Sequence, residues 1–207
     1  MADLRATYAS RYKNVLQPLA AALETQIKEL LKAEQRIDRV SARAKTTDSF
    51  VAKASKSKSD GSPKYDAPLE QIQDQVGVMV VTFYLSDVER VAEIINAHFS
   101  EIEIKSVAPE SDTAFDYMGK HLILLIPTEI ASTVTTLEER PKFFELQIKT
   151  LFQHAWAQAN HDLGYKSDGS LTQHEKRRIA FTAAQAWGAD WIFDELFRKQ
   201  LSEGRRV

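Results

Sequence analysis

The sequence predicts an α+β fold, a mixed β-sheet of about five strands flanked by helices, with long helical segments at both ends. Three observations predict it. Apolar residues recur at three- and four-residue steps from Leu4 to Ile37, the spacing of one helix face. Val76, Val78, Val80, Val81 and Phe83 make a run that is apolar on both faces, which suits a central strand covered on both sides. Phe143 to Thr150 alternates apolar and polar residues, so Phe144, Leu146 and Ile148 share one strand face and Glu145, Gln147 and Lys149 share the other.

Each element can be justified in order. Residues 4 to 39 read as helix, with Pro18 kinking the segment or beginning a second helix. Thr46-Thr47-Asp48 is a helix-start signal for a short helix through Lys53. Ser55 to Lys64 has loop composition. The strand from Gln75 to Leu85 follows, and Ser86-Asp87-Val88-Glu89 reads as a capping box opening a helix to about Phe99. Strands are expected near 101–107, 120–127 and 143–149. The helix from Leu151 to about Leu163 presents Phe152, Trp156, Ala159 and Leu163 as its stripe. Thr172-Gln173-His174-Glu175 is a second capping box, opening a long helix toward residue 201. That helix carries Trp187, Trp191 and their apolar neighbours on more than one face, so it wants two partners.

Composition narrows the function classes. The 27 lysines and arginines balance 29 acids, which gives no global attraction to nucleic acid, so a polyanion needs a local basic cluster. With no cysteine, disulfides and thiolate metal sites are excluded. No apolar run approaches the ~20 residues that span a bilayer, and the start Met1-Ala2-Asp3-Leu4-Arg5 does not read as a signal peptide. A cytoplasmic protein without a membrane partner is the expectation.

Four constellations could carry chemistry. Arg43, Lys45, Ser49 and Lys53 gather around a helix start, where free N–H groups and the dipole favour a polyphosphate; taken alone, a solvated charged turn is the simpler account. Asp74 at a strand mouth and Glu145 within another strand could share a magnesium ion, although a strand-capping acid and an edge-strand acid explain them as well. Tyr117-Met118-Gly119-Lys120-His121, if extended, places bare backbone between a ring and an imidazole, where a flat base could lie; an ordinary turn into a strand competes. His154, Gln158, His161 and Tyr165 share a polar helix face. His154 and His161 are two turns apart, roughly 10 Å, too far for one zinc ion to bridge.

In order along the chain stand Arg43-x-Lys45-x-x-x-Ser49-x-x-x-Lys53, Tyr65-x-x-Pro68-Leu69-x-x-Ile72-x-Asp74-x-x-Gly77, Tyr117-x-x-x-His121, Glu145-Leu146-Gln147-Ile148-Lys149-Thr150, and His154-Ala155-Trp156-Ala157 with His161-x-Leu163-x-Tyr165-Lys166. This series resembles the RelA/SpoT alarmone synthetase domain, in particular its small stand-alone members. The resemblance implies a nucleotidyltransferase-like sheet, with an N-terminal helical segment (1–40), a catalytic core (41–166) and a C-terminal helical segment (167–207). It implies transfer of the β,γ-pyrophosphate of ATP to the ribose 3′-hydroxyl of GDP or GTP, giving (p)ppGpp. Arg43, Lys45, Ser49 and Lys53 would then bind ATP phosphates. Asp74 and Glu145 would hold Mg²⁺, and Glu145 would also draw the proton from the 3′-hydroxyl. Tyr117 would stack on the acceptor base, with His121, Gln147 and Lys149 along its phosphates and ribose.

Three positions depart from the family pattern. Met79 stands where an arginine associated with ATP is usual; Asp116 and Gly119 stand where the acceptor motif usually has glycine and serine. The related alternatives are a toxin that pyrophosphorylates tRNA 3′ ends or adenine nucleotides, neutralised by an antitoxin protein, and a catalytically silent nucleotide-binding module. Homo-oligomers would form through the C-terminal helices, with the Trp187/Trp191 helix as contact surface.

Overall fold

Strand β5 (Phe143–Thr150) forms the middle of a five-stranded sheet, because its apolar and polar rows both find neighbours there. The computed structural model describes residues 2–105, 117, 119–132, 140–166 and 171–204. The sheet runs β1 (Ile37–Ala44), β2 (Val76–Thr82), β5, β4 (Lys120–Leu125), β3 (Glu101–Lys105). Only the β2–β5 pair is parallel; the other three are antiparallel, so the sheet is mixed.

Register fixes what each face carries. Arg43, Gly77, Glu145 and Ile123 lie side by side in one row, and Ser41, Met79, Gln147 and His121 in the next. The opposite face holds Val78, Val80, Leu122, Leu124, Leu146 and Ile148, all buried in one cluster. Leu19, Leu23 and Ile27 of α2 (Gln17–Leu30) and Val88, Val91 and Ile95 of α5 (Leu85–His98) join that cluster. Burying one such side chain is worth about 1.5–3 kcal/mol, so this face anchors the sheet and leaves the other free for polar work.

The N-terminal helical stretch ends earlier than its periodicity suggests. Helix α1 (Ala2–Arg11) passes through a π turn (Tyr12–Leu16) into α2, with Pro18 in the first turn of α2. Pro18 follows the π turn in an unbroken helical run, and the widened turn accommodates the ring and the missing N–H. Residues 37–44, expected as helix up to residue 39, are instead β1. Ile37 continues the helical spacing, but Val40, Ala42 and Ala44 alternate with Arg39, Ser41 and Arg43, and pairing with β2 decides the matter.

Several boundaries also move. Helix α3 (Thr47–Ala54) is capped by Thr46, whose side chain accepts from the Ser49 N–H. Helix α5 is capped two residues before the expected N-cap, Ser86. Tyr84 is its N-cap residue, and Asp87 accepts from the Tyr84 N–H while pairing with Arg36. The Ser86 N–H is satisfied by Asp194 of α8 (Gln173–Ser202), 2.8 Å away. The second capping box holds: Thr172 and Glu175 bond reciprocally at the start of α8. Strand β2 is interior but not the middle strand, and Gly77 and Met79 leave its site-side face partly open. The expected positions 106 and 107 of the third strand lie outside the described residues.

Helix α7 (Leu151–Lys166) is turned relative to the stripe expected for it. Trp156 is buried, but Phe152 and Leu163 are exposed, and Gln153 is buried instead. The cause is a local lock. The Thr150 N–H donates to Gln153 Oε1, and the Gln153 N–H donates to Thr150 Oγ1. This reciprocal cap, Thr-x-x-Gln, fixes which side of the helix meets the sheet. Two four-residue and five-residue helices, α4 (Pro68–Gln71) and α6 (Thr128–Ser132), complete the fold.

Candidate active site

The open face of the sheet gathers most of the predicted site residues across three strands. Gly77 sits in register between Arg43 and Glu145, and a Cβ at Gly77 would meet nothing nearer than the Glu145 carbonyl at 4.0 Å. A strip of bare backbone therefore separates a guanidinium from a carboxylate. To one side lie β1 and α3 with their cations; to the other lie β5 and β4.

Asp74 stands in the 3₁₀ turn (Gln73–Gln75) that feeds β2. Its Oδ2 accepts from Lys53 Nζ at 2.8 Å and from Lys45 Nζ at 3.0 Å. Burial pushes the Asp74 carboxyl up, but the two ammonium groups outweigh it and hold the carboxyl below the usual range. Asp74 Oδ1 is buried without a hydrogen-bond partner among the described residues. An unmet buried carboxylate oxygen is costly unless a cation or donor arrives. Lys45 is itself placed from below: the Tyr8 hydroxyl donates to the Lys45 carbonyl at 2.9 Å. Tyr8 is fully buried, with its ring stacked on Phe50 of α3 at 3.7 Å between centroids. Ser49 is exposed at the start of α3, where its hydroxyl accepts from Thr46 Oγ1.

Glu145 is held by side chains of β5 and β4. Its Oε2 accepts from Gln147 Nε2 at 3.0 Å, and its Oε1 lies 3.4 Å from His121 Nδ1. Burial raises the Glu145 pKa, yet the contacts with His121 and Gln147 win and keep it below the usual carboxylate range. Asp74 is near enough to oppose that ionisation, so the two carboxylates share one electrostatic pocket. His121 Nε2 is buried with no partner among the described residues. The Lys149 ammonium is buried and pushed down by desolvation, pulled up by Glu145 and pushed down again by Arg43. Among the described residues no three His, Asp or Glu side chains converge as a metal cage. The donors fit a hard divalent cation held by two carboxylates, with water and phosphate oxygens filling its shell.

Tyr117 stands apart from this cluster. It packs with Trp156 and Ala183, is 8% exposed, and its hydroxyl donates to Asp190 of α8 at 2.5 Å. Gly119 explains one departure from the family pattern. A Cβ there would sit 2.3 Å from the Ile148 carbonyl oxygen and 2.4 Å from Lys149 Cγ, so the serine usual in the motif has no room. Met79 lies half-buried between Ser41 and Gln147 in the second row, where its thioether offers no charge to a phosphate. His154 borders the site, its imidazole held below the usual range by burial and by Arg39 and Lys149. His161, two helical turns along α7 on the same side, is exposed. Asp116 and the side chains of Tyr165 and Lys166 lie outside what is described.

Two contributors were not singled out from the sequence, Thr150 with Gln153 and Asp190. The first is a Thr-x-x-Gln cap, a readable signal. The second is an acid inside the apolar run Trp187-Gly188-Ala189-Asp190-Trp191-Ile192, an anomaly that calls for a buried partner.

A family model described as "Region found in RelA / SpoT proteins" matches residues 42–170, and the chain belongs to that family. Similar curated proteins are GTP pyrophosphokinase YjbM of Bacillus subtilis (strain 168), 27% identical over 171 residues, 82% of this chain and 75% of the relative. GTP pyrophosphokinase YwaC of the same organism is 25% identical over 182 residues, 83% of this chain and 82% of the relative. Among solved structures, small alarmone synthetase 1 from Bacillus subtilis superposes with a TM-score of 0.71 at 24% identity, covering 90% of this chain and 95% of that one. Its complex with the product pppGpp gives the same TM-score over 89% of this chain and 95% of that one. These likenesses establish the fold.

Proposed function

We propose that this chain is an alarmone synthetase that moves the β,γ-pyrophosphate of ATP to the ribose 3′-hydroxyl of GDP or GTP. The observation that carries the proposal is the division of the open face. Cations surround Asp74 on one flank, hydrogen-bonding groups surround Glu145 on the other, and the bare backbone of Gly77 lies between them. The relatives named as GTP pyrophosphokinases and the neighbour solved with pppGpp support the choice of nucleotides.

On the donor flank, Arg43, Lys45, Ser49 and Lys53 would grip the triphosphate. The two lysines rest on Asp74 and would turn to phosphate oxygens when ATP arrives, which frees Asp74 Oδ2 as well as Oδ1. Asp74 and Glu145 would hold Mg²⁺, which when bound supplies charge neutralisation for the phosphates. On the acceptor flank, His121, Gln147 and Lys149 would line the ribose and phosphates, and Tyr117 would meet the base. Glu145 is ionised at neutral pH, and His121 and Gln147 hold its carboxyl below the usual range despite burial. It would accept the proton of the 3′-hydroxyl as the oxygen bonds to the β-phosphorus of ATP and the bond between that phosphorus and the α-phosphate oxygen breaks, leaving AMP. Such transfer depends on positioning and charge neutralisation more than on covalent help.

The test offers γ-labelled ATP and magnesium to the purified protein, with GDP, GTP, ATP and deacylated tRNA in parallel as acceptors. Label should move to GDP or GTP and should drop by at least ~10²-fold in Glu145→Ala, the scale of losing a positioned base. Label found only on tRNA or on adenine nucleotide contradicts the proposal and makes the chain a growth-arresting toxin. No transfer at all indicates a silent nucleotide-binding module.

A further inference from the structure

The buried hydrogen-bond cluster at the junction of β5, α7 and α8 lies outside the phosphate site, and it ties down the residue expected to meet the acceptor base. Asp190 is 1% exposed. Its Oδ2 accepts from the Tyr117 hydroxyl and from Thr150 Oγ1, both at 2.5 Å. Its Oδ1 is buried with no hydrogen-bond partner among the described residues. The Tyr117 ring is enclosed by Trp156 and Ala183, with Ala157, Ile179 and Ala186 around them. With the residue 8% exposed and its ring packed in this cluster, Tyr117 presents no free face on which a purine can stack.

We infer that Asp190 is a latch: it holds Tyr117 sheathed against α7 and α8, and acceptor binding must draw the ring out. The inference rests on the proposed acceptor role of Tyr117. The geometry suits a reversible contact. When Tyr117 leaves, Thr150 still donates to the same carboxylate oxygen, so release does not strand Asp190 without any partner. Thr150 is also fixed through Gln153 and adjoins Lys149, so the latch shares a wall with the acceptor flank. Through Asp190, the long C-terminal helix sets how readily the acceptor pocket opens. Asp190 acts through Tyr117 and is a positioning residue rather than a catalytic one.

The decisive variant is Tyr117→Phe, which keeps the ring and its packing and removes the hydroxyl. Equilibrium binding of GDP and of a non-hydrolysable ATP analogue is measured on the full chain, for the wild type, Tyr117→Phe and Asp190→Asn. Tryptophan emission is followed in parallel, with Trp156→Phe as control. Tyr117→Phe should bind GDP about fivefold tighter or more, because the hydroxyl's bonds to Asp190 and to neighbouring Thr150 and Gln153 are no longer broken, with the ATP analogue unchanged. Asp190→Asn, which keeps an acceptor oxygen but loses the charge, should gain less. GDP should change the emission of the wild type through Trp156, because Tyr117 uncovers it. GDP binding that is unchanged or weaker in Tyr117→Phe overturns the latch, as does GDP binding with no Trp156-dependent change. Because binding is read without turnover, a wild type that transfers no pyrophosphate contradicts the proposed function while the GDP comparison still decides the latch.

Discussion

At the scale of single residues, the site is a contest between burial and partners. Asp74 and Glu145 both sit where desolvation raises a carboxyl pKa, and both end up lowered because cations or donors reach them. The sign follows for stability. A carboxyl lowered in the folded state contributes stability in full above its unfolded value, 3.8 for Asp74 and 4.5 for Glu145, and that contribution is lost as pH falls through the folded value. Urea unfolding between about pH 5 and about pH 3 should therefore show a falling stability, with a shallower slope in Asp74→Asn than in the wild type; an equal slope removes Asp74 from the account. Gly119 offers a second residue-scale test. Its missing side chain lets the backbone approach Ile148 and gives the Lys149 stem its path. Gly119→Ser should cost about 1–3 kcal/mol in urea unfolding, the range for overpacking, and the family serine should not raise activity above that of the wild type. A variant as stable as the wild type would show that the chain can yield there.

At the scale of elements, much of the fold was legible and the exceptions have physical causes. The strand at 143–150 and the caps at Thr46 and Thr172 were readable because alternation and capping are local. Strand β1 was hidden because Ile37 extends a helical period, and only pairing with β2, a non-local fact, turns Arg39, Ser41 and Arg43 toward the site. The face of α7 is not legible from periodicity: Phe152 and Leu163 are apolar, yet the Thr150–Gln153 lock turns them outward. Helix α1 has a role no motif announces: through Tyr8 it braces Lys45 beside Asp74. Tyr8→Phe keeps the stack on Phe50 and deletes one hydrogen bond. It should cost about 1 kcal/mol of stability and raise the KM for ATP more than that for GDP. Equal effects on both substrates would mean that α1 supports the fold without favouring the donor side.

At the scale of the whole molecule, one sheet face builds the core and the other gathers cations around Asp74 and hydrogen-bonding groups around Glu145. Family membership accounts for the order of the motifs, and the structure accounts for why that order works: β1, β2 and β5 bring Arg43, Gly77 and Glu145 into one row from positions far apart in sequence. Among the described residues no helix is long and apolar enough to cross a membrane. What the sequence did not disclose is the tie between Tyr117 and α8, since Asp190 lies 73 residues away and has no motif.

Pyrophosphate transfer and γ-phosphoryl transfer differ in which bond of ATP is broken. The protein is given ATP, GDP and magnesium, and the products are resolved by ³¹P NMR. Pyrophosphate transfer predicts AMP together with a guanosine nucleotide carrying a new diphosphate on its 3′-oxygen, with neither formed by Glu145→Ala. ADP and GTP, the products of ordinary γ-phosphoryl transfer, would contradict it.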